Sequence, residues 1–289
     1  MDDFPSLVSC QWLAQRLGDP GIAVLDASRH LPAAGRDPRA EYEAAHIPGA
    51  RFLDLASLTD PASPVPAALP TARQVAARLA ALGVAPDAAI VLYDDSAIRS
   101  SARAWFALTE TGRERVAILD GGLAMWRAQG LPLESGPPAP ERAEPAALHA
   151  PRRVRSKADM LANLASRAEQ VLDARGADRV FGTGEDPVHG GPNGRIPGSM
   201  NLPYGDLFAQ DGTFRSPQEL RAAFEAAGID LDRPVVTTCG SGVTASVLLF
   251  ALHLIGKSDA ALYDGSWMEW SADPATPKAQ GREAQGPEA

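Results

Sequence analysis

Two stretches of this chain carry the same spacing of landmark residues. Asp95, Asp120 and Trp126 are separated by 25 and six positions, and so are Cys239, Asp264 and Trp270. Around each set, short apolar runs and helix signals follow in the same order. A spacing kept over two halves marks a duplicated unit. Strand–helix alternation within each copy predicts an α/β fold: two tandem domains, each a mostly parallel sheet flanked by helices. A length of 289 residues suits two such domains, and 45% hydrophobic content is that of an ordinary globular protein.

In the first copy, Ser9 caps a helix over Cys10 to Leu17, closed by Gly18. Ile22 to Leu25 reads as a strand ending at Asp26, and Arg39 to Ala45 as a short helix leading to His46. Thr71 and Gln74 form a capping box for a helix that ends at Gly83. Ala89 to Tyr93 is a strand, Ser100 to Thr109 a helix, Val116 to Leu119 a strand, and Gly121 to Gln129 a turn and helix. Pro132 to Arg153 is proline-rich and lacks apolar periodicity, as a linker does. The second copy then begins with Ser156 as a cap, followed by a strand from Gln170 to Leu172 ending at Asp173. Arg195-Ile196-Pro197-Gly198-Ser199 echoes His46-Ile47-Pro48-Gly49-Ala50. Ser216, Pro217 and Glu219 open a helix that stops at Gly228. The expected domains are 1–134 and 154–273, with a linker at 135–153 and a disordered tail at 274–289.

The chemistry concentrates after the strand Val235 to Thr238. Cys239-Gly240-Ser241-Gly242 is a tight loop, and Val243 to Ile255 is an apolar helix stopped by Gly256. A thiol here faces several backbone N–H groups and the positive end of a helix dipole. Both favour a thiolate, the nucleophilic form. A lone cysteine is usually a small buried hydrophobe. A strand-to-helix turn with two glycines, however, has no packing need for one. In register, Asp95 stands where Cys239 stands, and a carboxylate there cannot carry sulfur, so the first copy is expected to wall the cleft and do no chemistry.

On these residues the chain resembles the two-domain rhodanese superfamily. Cys239 to Ala245 looks like the active-site loop of its mercaptopyruvate-type sulfurtransferases, and Tyr263-Asp264-Gly265-Ser266-Trp267 and His46-Ile47-Pro48-Gly49-Ala50 resemble further signatures. The resemblance implies tandem rhodanese domains, the first inactive, and a Cys239 persulfide as the sulfur carrier. Gly240, Ser241, Gly242, Val243 and Thr244 would cradle that sulfur through their N–H groups. Ser241 adds a hydroxyl. Residues 240–243 contain no Arg or Lys, which resembles enzymes that take a monocarboxylate donor rather than thiosulfate. Arg179, in Arg179-Val180-Phe181-Gly182-Thr183, matches the family's carboxylate anchor. The chain departs from the pattern at Val188, where those enzymes carry a second arginine, and at Arg195, where they carry histidine. Arg195 is expected to supply the missing charge. His46 and Asp37 are candidates for a relay through Ser241.

The implied reaction moves sulfur from 3-mercaptopyruvate to a small thiol, thioredoxin or cyanide, releases pyruvate, and needs no metal or organic cofactor. A thiosulfate sulfurtransferase and a persulfide carrier with little turnover stay open as alternatives. A cysteine phosphatase needs arginine six positions after its cysteine, where this chain has Ala245. Gly256-Lys257-Ser258 lacks the earlier glycine of a phosphate loop, and the five histidines lack metal-ligand spacing. A net charge of −9 argues against nucleic acid or anionic membrane as a partner. No stretch approaches the ~20 apolar residues of a membrane span. Two distant cysteines and an acidic start without an apolar run point to a cytoplasmic protein without disulfides.

Overall fold

The computed structural model describes residues 4–136 and 141–281. Each half holds a five-stranded parallel sheet. The first contains β1 (Leu7–Val8), β2 (Ile22–Asp26), β3 (Arg51–Phe52), β4 (Ala89–Tyr93) and β5 (Val116–Leu119), ordered β1-β5-β4-β2-β3. The second contains β6 (Val154–Arg155), β7 (Gln170–Asp173), β8 (Met200–Asn201), β9 (Val235–Thr238) and β10 (Ala261–Tyr263), ordered β6-β10-β9-β7-β8. The two orders match strand for strand, so the duplication read from the spacing is a duplication of topology.

The helices of the first half are α1 (Cys10–Ala14), α2 (Pro38–Ala44), α3 (Ala72–Ala81), α4 (Ser101–Glu110) and α5 (Gly122–Ala128). Those of the second are α6 (Lys157–Ser166), α7 (Ala177–Phe181), α8 (Pro217–Ala226), α9 (Ala245–Leu254) and α10 (Ser266–Ala272). The capping boxes expected at Thr71 and Ser216 are both formed. α1 ends three residues before Leu17, where the chain tightens into turns before Gly18 at φ 80°.

Both faces of each sheet are buried, as crossover helices require. Successive residues therefore alternate between two cores. In β4, Ile90 and Leu92 face one core while Val91 and Tyr93 face the other. In β9, Val235 and Val236 divide the same way. The core holding Ile90 and Val235 is shared: α4 meets α9 there, with Trp105 edge-on to Phe250 at a ring separation of 4.9 Å.

Asp120 and Asp264 follow the ends of β5 and β10. Each reaches across to the other domain. Asp264 accepts the Leu69 N–H and pairs with Arg103, both at 2.7 Å, and Asp120 accepts the Phe214 N–H at 2.8 Å. The Arg103 side chain is only 7% exposed, so Asp264→Ala leaves a buried cation without its counter-charge. Breaking such a pair costs about 3–5 kcal/mol. The expected result is a clearly lower melting temperature, partly recovered when Arg103→Met and Asp264→Leu are combined. An unchanged melt for Asp264→Ala would mean that this pair adds nothing to what α4 against α9 and the Asp120 bond already supply.

Between the domains, residues 141–150 form neither helix nor strand, while the Arg152 and Arg153 N–H groups are tied to Glu110. The expected linker also includes residues 137–140, which lie outside the described residues. The disordered tail expected from Pro274 is corrected as far as Gly281. Trp270 donates to the Pro277 carbonyl at 2.8 Å, just as Trp126 donates to that of Pro132. Arg195 and Ala279 exchange backbone bonds, as His46 and Glu134 do. This segment is thus the second copy of the residues that follow α5. Residues 282–289 lie outside the described residues.

Candidate active site

β9 lies at the centre of its sheet, and Cys239 leaves from its carboxyl end, where open α/β sheets bind ligands. The loop is held by its backbone. The Cys239 N–H donates to Ser266 Oγ at 3.2 Å, and its carbonyl accepts the Trp267 N–H at 2.9 Å. The Gly240 carbonyl accepts the Met268 N–H at 3.0 Å. Thus the Asp264-Gly265-Ser266-Trp267 segment fixes the cysteine loop. Gly242 adopts φ 79°, and a Cβ there would lie 2.8 Å from Arg103 Nη1, so the turn needs glycine twice over. Among the described residues, the N–H groups of Gly240 to Thr244 reach no protein acceptor. They form a donor cradle at the head of α9.

Cys239, Gly240, Ser241, Val243 and Thr244 open onto a cavity of about 570 Å³ walled by both domains. Cys239 itself is 2% exposed. Arg179 lines the same cavity from α7, and its Nη2 lies 3.4 Å from where a Cβ on Gly240 would sit. Arg179 is held by the buried Asp186, through Nε at 3.0 Å and Nη2 at 2.7 Å. Asp186 also faces Arg175 at 3.6 Å, and Arg175 pairs with Asp173 at 2.7 Å. Burial pushes the Asp186 carboxyl up, but the hydrogen bonds from Arg179 and the Val188 N–H outweigh it and hold the group below the usual carboxylate range.

Three cavity residues were missed in the sequence. His189 lies over Gly240, so closely that a Cβ there would be 2.1 Å from Nε2. Burial, and then the charge of Arg179, hold its imidazole below the ordinary histidine range, so the ring is neutral at pH 7. Tyr204 donates its hydroxyl to the Ala97 carbonyl at 3.0 Å, bridging the domains at the rim. Arg29 projects from the carboxyl end of β2 in the other domain. The available signal was position: Arg29 follows a strand's carboxyl end, as Cys239 does. His189 lies in a loop rich in glycine and proline that offers no periodic pattern.

Other expected site residues are elsewhere. His46 is fully buried, with Nδ1 at 2.7 Å from the Tyr42 carbonyl and Nε2 at 3.2 Å from Glu134. Asp37 caps α2 through the Arg39 and Ala40 N–H groups. Neither lines the cavity, so no relay to Ser241 is formed. Arg195 is buried with its guanidinium over the Phe181 ring, outside the cavity lining. The echo between His46 and Arg195 is structural: each precedes a turn whose glycine has a positive φ, 74° at Gly49 and 76° at Gly198. In the first domain, the Asp95 carboxylate is held by Arg36 at 2.9 Å and Arg127 at 3.3 Å. No cluster of three or more His, Cys, Asp or Glu able to hold a metal occurs among the described residues, and none of their helices is long and apolar enough to cross a membrane.

Tandem α/β domains with one amide-cradled thiol at a cleft built by both copies define a class of cysteine-centred α/β proteins. The sequence model of the rhodanese-like domain matches residues 9–129 and again 156–273, and the chain belongs to the rhodanese family. It is 41% identical over 287 residues to a 3-mercaptopyruvate sulfurtransferase of Rattus norvegicus, covering 96% of this chain and 97% of that one. It is 39% identical over 288 residues to a thiosulfate sulfurtransferase of Bos taurus, covering 96% and 97%. The crystal structure of the 3-mercaptopyruvate sulfotransferase SseA from Escherichia coli superposes with a TM-score of 0.82 at 37% identity, covering 91% of this chain and 98% of that one.

Proposed function

We propose that this chain is a 3-mercaptopyruvate sulfurtransferase with Cys239 as the sulfur carrier. The Cys239 thiolate attacks the donor sulfur. The carbon–sulfur bond breaks, its electron pair leaves as the pyruvate enolate, and the enolate takes up a proton. Cys239 is left as a persulfide, whose outer sulfur rests in the N–H cradle of Gly240 to Thr244. In the second half-reaction a thiolate, on a small thiol or thioredoxin, or cyanide attacks that outer sulfur and Cys239 departs as thiolate. The observation that carries the reading is the shared cavity: the thiol, the donor cradle and the Arg179 guanidinium face one space. Arg179 anchors the donor carboxylate and Ser241 offers its hydroxyl to the carbonyl end. Residues 154–273 are the catalytic domain in this reading. The first domain, with Asp95 at the cysteine position, closes the cleft. A cytoplasmic setting completes it and suits two free thiols.

A second reading, thiosulfate as donor, is favoured by the similarity to the bovine protein. Against it stands the loop at 240–243, which has no cation for a dianion. The deciding experiment compares pyruvate release from 3-mercaptopyruvate with thiocyanate formation from thiosulfate and cyanide. A kcat/KM at least tenfold higher for 3-mercaptopyruvate is expected. The reverse preference would replace this reading with the second.

A further inference from the structure

The charges on the catalytic domain's side of the cavity cancel. Arg175 and Arg179 face Asp173 and Asp186, two positive against two negative. His30 is paired with Glu41, Val188 is apolar and His189 is neutral at pH 7. Among the described residues, no Asp or Glu lines the cavity. Arg29 is the exception. Among the described residues its guanidinium makes no ion pair and no hydrogen bond; burial and then Arg103's charge work against its ionised form, and the more distant Asp54 carboxylate only partly offsets them. It remains a cation at neutral pH. Its backbone is fixed, the N–H donating to Ser100 Oγ at 3.0 Å and the carbonyl accepting from the Ser96 hydroxyl. A half-buried guanidinium on a fixed backbone, with no anion paired to it, is a site prepared for one.

We propose that Arg29 is the second cation of the donor-carboxylate site, delivered across the cleft by the non-catalytic domain. This rests on the reading of the donor as a monocarboxylate. It gives the first domain a binding role: Arg179 grips the carboxylate from the side of the thiol, and Arg29 supplies the charge that Asp186 has cancelled on Arg179. The donor is held only where both domains meet.

Pyruvate, a stable product that keeps the carboxylate, is the probe. Calorimetric pyruvate binding and the KM for 3-mercaptopyruvate are measured for the wild type, Arg29→Leu and Arg29→Lys. Arg29→Leu is expected to weaken pyruvate about 30- to 100-fold and to raise KM similarly, with a smaller change in kcat. Arg29→Lys is expected to recover most of the loss, keeping the charge but not the fork. The melting temperature of Arg29→Leu should hold or rise, since an uncompensated cation has been removed; a merely structural arginine would lower it. Wild-type pyruvate affinity and KM in Arg29→Leu, or Arg29→Lys no better than Arg29→Leu, would overturn the proposal while leaving the donor reading intact. If the wild type binds pyruvate but does not release it from 3-mercaptopyruvate, the donor reading fails and the Arg29 comparison still decides on binding. If the wild type does not bind pyruvate, both fall.

Discussion

Cys239→Ser is expected to lower pyruvate release from 3-mercaptopyruvate by on the order of 10⁴-fold or more, the scale of losing a covalent nucleophile. The fold should survive. The loop is held by the main chain of residue 239, through Ser266 and Trp267, and not by the sulfur. A hydroxyl also fits where the thiol was, at a position 2% exposed. What is lost is chemical: a serine hydroxyl stays protonated at neutral pH and is a poor nucleophile toward sulfur, and His46, the one histidine proposed for a relay, points to Tyr42 and Glu134 instead. Intact-mass measurement after incubation with donor gives an independent readout. The wild type should gain one sulfur atom, and the variant none. Asp95→Cys on the Cys239→Ser background should not restore turnover. The side chain at 95 faces Arg36 and Arg127 and does not line the donor cavity. Substantial pyruvate release from Cys239→Ser would sink the persulfide mechanism.

What could be read from the sequence was local. Val235 to Thr238, two loop glycines and the apolar run of α9 specify strand, turn and helix within twenty residues, so the thiol's setting was legible. The duplicated spacing worked because the α/β repeat fixes how far each strand's end lies from the next. The failures concern contacts between distant segments. His46 and Arg195 carry polar side chains beside an Ile-Pro-Gly turn, and nothing nearby says that Glu134 and Ala279 return to pair with them. Asp264 reaches Leu69 and Arg103 in the other domain. Arg29 reaches the cavity only because the domains face each other across it. Its charge carries no local pattern, whereas Arg195 stands in an echo of His46 that marks a shared turn and not a place on the cavity.

Asp186→Asn should be among the most damaging single changes outside the thiol. The carboxylate is buried and serves two guanidiniums, Arg179 at 2.7 Å and Arg175 at 3.6 Å, and it accepts the Val188 N–H at 2.9 Å. Neutralising it leaves Arg175, Arg179 and Asp173 with an uncancelled positive charge inside the protein. An amide also presents one oxygen where two were used. Breaking a buried ionic cluster costs about 3–5 kcal/mol, so a melting temperature lower by several degrees is expected. Turnover should fall as well, by about 100-fold, because Arg179 loses the fork that aims it at the donor. The pH dependence follows from the same carboxyl. Its folded pKa lies below the ordinary aspartate value of 3.8, so its contribution is complete above that value and is lost as pH falls through the folded pKa. Acid unfolding should therefore be less steep below pH 4 in Asp186→Asn than in the wild type, although the variant starts less stable. A wild-type melt and an unchanged acid limb would show that the carboxylate's charge does not hold the two arginines. The positioning of Arg179 would then have to come from the packing of α7 alone.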